Sequence, residues 1–224
     1  MKKNSSGGSA LPFILLVVTG FMVHYPDWGW VQLIRRIYPR AFELRSLLHR
    51  GAGAVMMFTS LFHVAYIIFT ARGRQLVKDL WLRPSDLTEA FKAVKYNLGL
   101  AKERPRFGRF TYAEKAEYWA LVWGTIVMSV TGIVMWFDNT FIGLLTKLGY
   151  DVSRTVHFYE AWLATLAIVV WHLYFVIFNP DEYPMNIAWL TGTLSEREMA
   201  EEHPRELERL KKEAGLAPEA PPAV

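Results

Sequence analysis

Four histidines stand in apolar stretches of the chain: His49 and His63 in one, His157 and His172 in another. A neutral imidazole nitrogen is a good metal ligand, and the same ring can relay protons. An ionisable group inside an apolar stretch is costly and marks function by default. The members of the two pairs are 14 and 15 residues apart. At ~100° per residue, 14 steps of helix return to within ~40° of the start and 15 steps to within ~60°, so each pair lies roughly on one helix face. At ~1.5 Å per residue the members are separated by about 21 and 22.5 Å along their helices. The two separations nearly match.

One further apolar run lies between these two, so the two histidine-bearing helices run in the same direction. Facing each other, they set His49 against His157 at one depth and His63 against His172 at another. Each pair then offers an imidazole above and below a plane, which is the axial ligand set of a haem iron. Two b-type haems at opposite depths make an electron path. The chain has no Cys, which removes C-x-x-C-H haem attachment, iron–sulfur clusters and Cys-zinc sites. No H-E-x-x-H string or carboxylate cluster suggests zinc. A single intramembrane histidine often serves as a helix–helix hydrogen-bond partner or a proton relay. Four at matched depths favour the two-haem reading.

The neighbours of these histidines are candidates too. Gly51 and Gly53 leave room for a flat macrocycle near the backbone, and Gly124 and Gly132 on the intervening run offer the same; close helix packing uses small residues as well. Arg45 and Arg50 flank His49 and can pair with haem propionates, or snorkel to the interface. Glu160 follows His157 by one helical turn. It is either a proton acceptor for a quinol or a structural partner for Arg45 or Arg154. His24 reads as an interface residue and His203 as a solvated one.

The elements that must position these residues are four apolar runs. Leu11–Tyr25 is short for a span of ~20 residues unless counted from Ser5. A basic start and short apolar core also suit a signal peptide, but His24-Tyr25-Pro26-Asp27-Trp28 offers no small-residue cleavage site. Ser46–Thr70, Tyr118–Phe137 and Val156–Phe178 are each long enough to cross a bilayer, and Pro180 and Pro184 stop the last. With four spans, the N-terminus, the loop after the second run and the C-terminal tail share one side. That side carries 18 Lys/Arg against 7 on the other, so it is expected to be cytoplasmic. Nine Trp and ten Tyr fit two membrane interfaces. In the loop, Leu87, Phe91, Val94 and Leu98 fall at helical spacing with Lys92 and Lys95 between them. This predicts an amphipathic helix on the membrane surface. In the tail, Ser195 and Glu198 form an S-x-x-E capping box, which predicts a charged helix to about Glu213 and a frayed end from Gly215. No internal repeat is legible. The expected fold is all-α: a four-helix transmembrane bundle binding two haems, residues 1–194, with a surface amphipathic helix, followed by a cytoplasmic tail with a short helix, residues 195–224.

The strings LLHRGAGAVMMFTSLFHVAY, PRFGRFTYAEKAEYWALVWGT with MSVTGIVMWF, HFYEAWLATLAIVVWH and YPMNIAWLTGTLSEREMAEEHP carry a resemblance. The chain resembles the di-haem cytochrome b subunits of membrane-bound respiratory oxidoreductases, of the formate dehydrogenase and thiosulfate reductase type. It is also similar to the four-helix haem core of cytochrome b from bc complexes. The resemblance covers most of Phe21–His203 and implies that His49, His63, His157 and His172 are axial ligands. It further implies electron exchange with a membrane quinone and a partner subunit. That partner is expected in the periplasm, as a multihaem cytochrome c or a molybdoenzyme with its iron–sulfur subunit, with the chain in the inner membrane and both termini cytoplasmic. Relatives usually begin the first helix with His-Trp, where this chain has Ser-Gly-Gly-Ser.

Rival classes fit less well. A transporter or proton relay could use the histidines with Glu160, but Pro does not interrupt the second to fourth runs and no repeat is seen. A plain membrane anchor needs no buried histidines. The net charge of +4 arises mainly from one loop between apolar runs, and no nucleic-acid partner is expected.

Overall fold

The computed structural model describes residues 10–103, 105–178 and 193–216. Ser5–Ser9, Pro180, Pro184, most of the YPMNIAWLTGTL string and the end from residue 217 lie outside them. Among the described residues every regular element is helical. The chain divides into two units: Lys2–Ala65 with Leu121–Gly192, and Tyr66–Ala120 with Thr193–Val224.

The first unit contains α1 (Ala10–His24), α2 (Gly29–Ile37), most of α3 (Pro39–Phe69), most of α6 (Tyr112–Trp136) and α7 (Asp138–Leu166) with its continuation. Pro39 opens α3, where its missing N–H costs nothing. α3 and α6 are each long and apolar enough to cross a membrane. α1 reaches that test only together with α2, from which it is bent by 100°. α3 presents large apolar side chains outward, with Phe58 73% exposed; a bilayer, not water, suits such a face. At one end of this unit, Phe21, Tyr25 and Trp28 of α1 and its following turn stack on one another, and Phe21 packs edge-on against Trp162 of α7. The Trp162 indole donates to Tyr25 Oη at 3.2 Å.

α7 is interrupted at Thr146, whose φ of 63° is rare for a β-branched residue. Beyond Leu166 the helix continues in π-helical form over Ala167–His172 and again over Tyr174–Phe178. There the N–H of Leu173 reaches the carbonyl of Ile168, five residues back. The fourth apolar run therefore lies in α7 and this continuation.

The second unit is polar. It holds α4 (Ala71–Leu80), α5 (Pro84–Asn97), the start of α6, α8 (Glu196–Glu202) and α9 (Pro204–Glu213). Thr70 ends α3 and caps α4, accepting from Gly73 N at 2.9 Å. Asp86 of α5 accepts from Arg83 N and pairs with Lys115 Nζ, both at 2.7 Å; each side chain of the pair is 8% exposed. Arg109 pairs with Asp79, and Arg205 with Glu89. The expected amphipathic helix is α5, and its Leu87, Phe91 and Val94 are exposed, as is Leu98 just beyond its end. The Ser195–Glu198 box closes in both directions. Two expectations are corrected. The tail is two helices, broken where Pro204 removes an N–H and pushes His203 off helical geometry. His203 is buried rather than solvated, with Nδ1 2.8 Å from the Gly108 carbonyl oxygen. The described tail groups with Tyr66–Ala120 in one unit.

Candidate functional site

α3 and α7 bring His49 and His157 face to face. Their ring centroids are 6.4 Å apart and their planes are inclined by 65°. Two metal–imidazole bonds of about 2 Å, placed end to end with half a ring on each side, span roughly 6 Å between centroids. The pair therefore has the separation that one metal between two imidazoles requires. Among the described residues no three His, Cys, Asp or Glu side chains converge. Two imidazoles supply only the axial positions of an iron, so the remaining positions suit a planar macrocycle.

Each ring is held from behind by a threonine. Thr19 Oγ1 of α1 lies 2.9 Å from His49 Nδ1, and Thr131 Oγ1 of α6 lies 2.8 Å from His157 Nδ1. Both threonines are buried. Each is followed by a glycine whose added Cβ would stand 3.3 Å (Gly20) or 3.4 Å (Gly132) from the Cε1 of the same ring. These glycines let the rings approach the helix backbone. Sequence reasoning missed Thr19, Thr131 and Gly20, and it named Gly132 only as room for a macrocycle. One signal was available: Val-Thr-Gly occurs at 18–20 and again at 130–132. It is a short internal repeat where none was expected.

His63 is half-buried on α3, while the side chain of its expected partner, His172, lies outside the described residues. The backbone at 172 is informative. A π-helical turn closes with i→i+5 bonds and takes up one residue more than an α-helical turn. The segment Ala167–His172 thus absorbs the one residue by which the 15-residue spacing exceeds 14.

The other candidates separate. Arg45 folds over the Phe42 ring, its guanidinium carbon 3.7 Å from the centroid, and donates Nη1 to the Phe42 carbonyl. Its Nε is buried and has no hydrogen-bond partner, so an acceptor such as a propionate would satisfy it. Arg50 instead lies over Trp136 at 5.6 Å. Among the described residues a Cβ at Gly51 would meet no neighbouring atom within 4 Å, and one at Gly53 only Leu16 at 3.9 Å. Close helix packing does not explain these two glycines. Gly124 makes room for an acid, since its added Cβ would be 2.8 Å from Glu160 Oε1. Among the described residues Glu160 forms no ion pair, with Arg45 and Arg154 included. His24 is exposed and stacks on Phe158 at 3.9 Å.

Apolar helices that bring two imidazoles one metal apart suit a membrane haem protein. A family model described as prokaryotic cytochrome b561 matches residues 7–182, well over half of the sequence, and the chain belongs to that family. It is accordingly a membrane cytochrome b of electron transfer that binds b-type haem, in keeping with the resemblance to the cytochrome b subunits of respiratory oxidoreductases. No curated protein matches the chain.

Proposed function

We propose that this chain is a four-span, di-haem subunit that passes electrons between the membrane quinone pool and a periplasmic redox partner, from a site in the inner membrane. The observation that carries the proposal is the His49–His157 clamp at 6.4 Å. A bound haem supplies a one-electron couple. His49 and His157 hold one, and His63 with His172 hold the other about 21 Å deeper. Arg45 offers its unpartnered Nε to a propionate of the first. Arg50, Gly51 and Gly53 line the approach beside His49. Glu160, unpaired and accommodated by Gly124 beside His157, accepts protons from a quinol at that side.

The excess of Lys and Arg supports a cytoplasmic placement of both termini and of the segment 71–115. The exposed apolar side chains of α5, with Lys92 and Lys95 beside them, support contact of that helix with the lipid surface. The docking partner is a multihaem cytochrome c or a molybdoenzyme with its iron–sulfur subunit, because the His49–His157 site is the nearer to the periplasm in this orientation.

Single replacements of the four histidines by Ala test the pairing. Potentiometric titration should show that His49→Ala and His157→Ala remove one and the same haem. His63→Ala and His172→Ala should remove the other. A haem lost in common by His49→Ala and His172→Ala would break the assignment.

A further inference from the structure

We infer that the repeated Thr–Gly pair is a positioning device: Thr19 and Thr131 fix the tautomer and the donor strength of His49 and His157. The inference rests on the reading that these two histidines hold a haem. A threonine hydroxyl has one proton and two lone pairs. Thr19 Oγ1 donates that proton to the Leu15 carbonyl at 2.5 Å, and Thr131 Oγ1 donates to the Val127 carbonyl at 2.7 Å. Neither hydroxyl has a proton left for its histidine. In the contacts at 2.9 and 2.8 Å the ring nitrogen must therefore be the donor and the hydroxyl oxygen the acceptor. Nδ1 carries the hydrogen on both rings, and Nε2 keeps its lone pair free for a metal.

The same contact sets more than the tautomer. An Nδ1–H that donates to oxygen leaves more electron density on the ring and makes Nε2 a stronger donor. A stronger donor favours ferric over ferrous iron, so the bond holds the potential of this haem down. The back-bonds to Leu15 and Val127 direct both hydroxyls, and both threonines are nearly inaccessible. The arrangement is thus built twice, once from α1 and once from α6, around a single clamp. Gly20 and Gly132 complete it, since a methyl at either place would press on the ring at 3.3 or 3.4 Å.

The test is a potentiometric titration of the purified full-length holoprotein, together with haem transfer to added apomyoglobin. Thr19→Val keeps the shape and removes the hydroxyl from His49 Nδ1. The His49–His157 haem should shift to higher potential, its transfer should become on the order of 10–100-fold more favourable, and the second haem should stay in place. Thr19→Ser should restore the wild-type values. Thr131→Val and Thr131→Ser should repeat the pattern from the other ring, and they carry the test if Thr19→Val does not accumulate. An unmoved His49–His157 potential, an equal shift at both haems, or failure of Ser to restore would overturn the inference. A wild-type protein that holds no haem would sink the functional reading instead, so the two failures are told apart.

Discussion

Glu160 lies one helical turn beyond His157, and its carboxylate occupies the space where a side chain at Gly124 would be. No cation among the described residues pairs with it. An acid in that position is expensive unless it is used or paired. Glu160→Gln keeps size and hydrogen bonding but cannot accept a proton. Quinone-linked turnover should fall by about 100-fold or more, with both haems retained and still reduced by dithionite. Full turnover in that variant would make the acid structural. At this scale the histidines were legible because their type is rare in apolar stretches and their spacing carries depth. The threonines were not. A threonine in an apolar helix ordinarily bonds back to its own carbonyls, as Thr19 and Thr131 do. Only the packing of α1 on α3 and of α6 on α7 shows what lies on the other lone pair.

Helices α5 and α6 meet through a buried charge. Asp86 satisfies the start of α5 and neutralises Lys115 with the same carboxylate. Leaving one buried charge unpaired costs about 3–5 kcal/mol, whereas replacing both by apolar groups is often close to neutral. Asp86→Ala should therefore destabilise the segment 71–115 strongly, read as early thermal loss of helix signal and faster proteolysis there. Asp86→Ala with Lys115→Met should recover most of that loss. A single variant as stable as wild type would contradict the account. Periodicity made α5 legible, since Leu87, Phe91 and Val94 share a face. The same reasoning overran Pro204, treating the tail as one helix. It missed α4, because the charge of its short sequence hides any apolar face and its start depends on the Thr70 cap. The π-helical stretch at Ala167–His172 was also beyond a uniform 100° per residue. It takes up one residue more per turn than that simple count assumes.

The whole molecule divides its labour by polarity. One unit is apolar and carries His49, His63, His157 and His172; the other is ion-paired and carries most of the positive charge. The positive-inside rule gives this charge a side. A reporter fused at the C-terminus should be active in the cytoplasm, and activity only in the periplasm would reverse the orientation. The helical fold class and the family were legible from five strings and one absent residue type, Cys. The number of spans was less so, since α1 is short and bent from α2, and the fourth run changes helical form along its length.

The proposed function requires two haems in one chain, at two depths. The direct measurement is the ratio of haem iron to polypeptide in the purified protein, by pyridine haemochrome and quantitative amino-acid analysis, from cells grown with ample haem. The account predicts about two b-type haems per chain, because the sequence supplies two imidazole pairs. A ratio of one would leave the proposed pairing of His63 with His172 without a haem, and a ratio near zero would contradict the proposed function altogether.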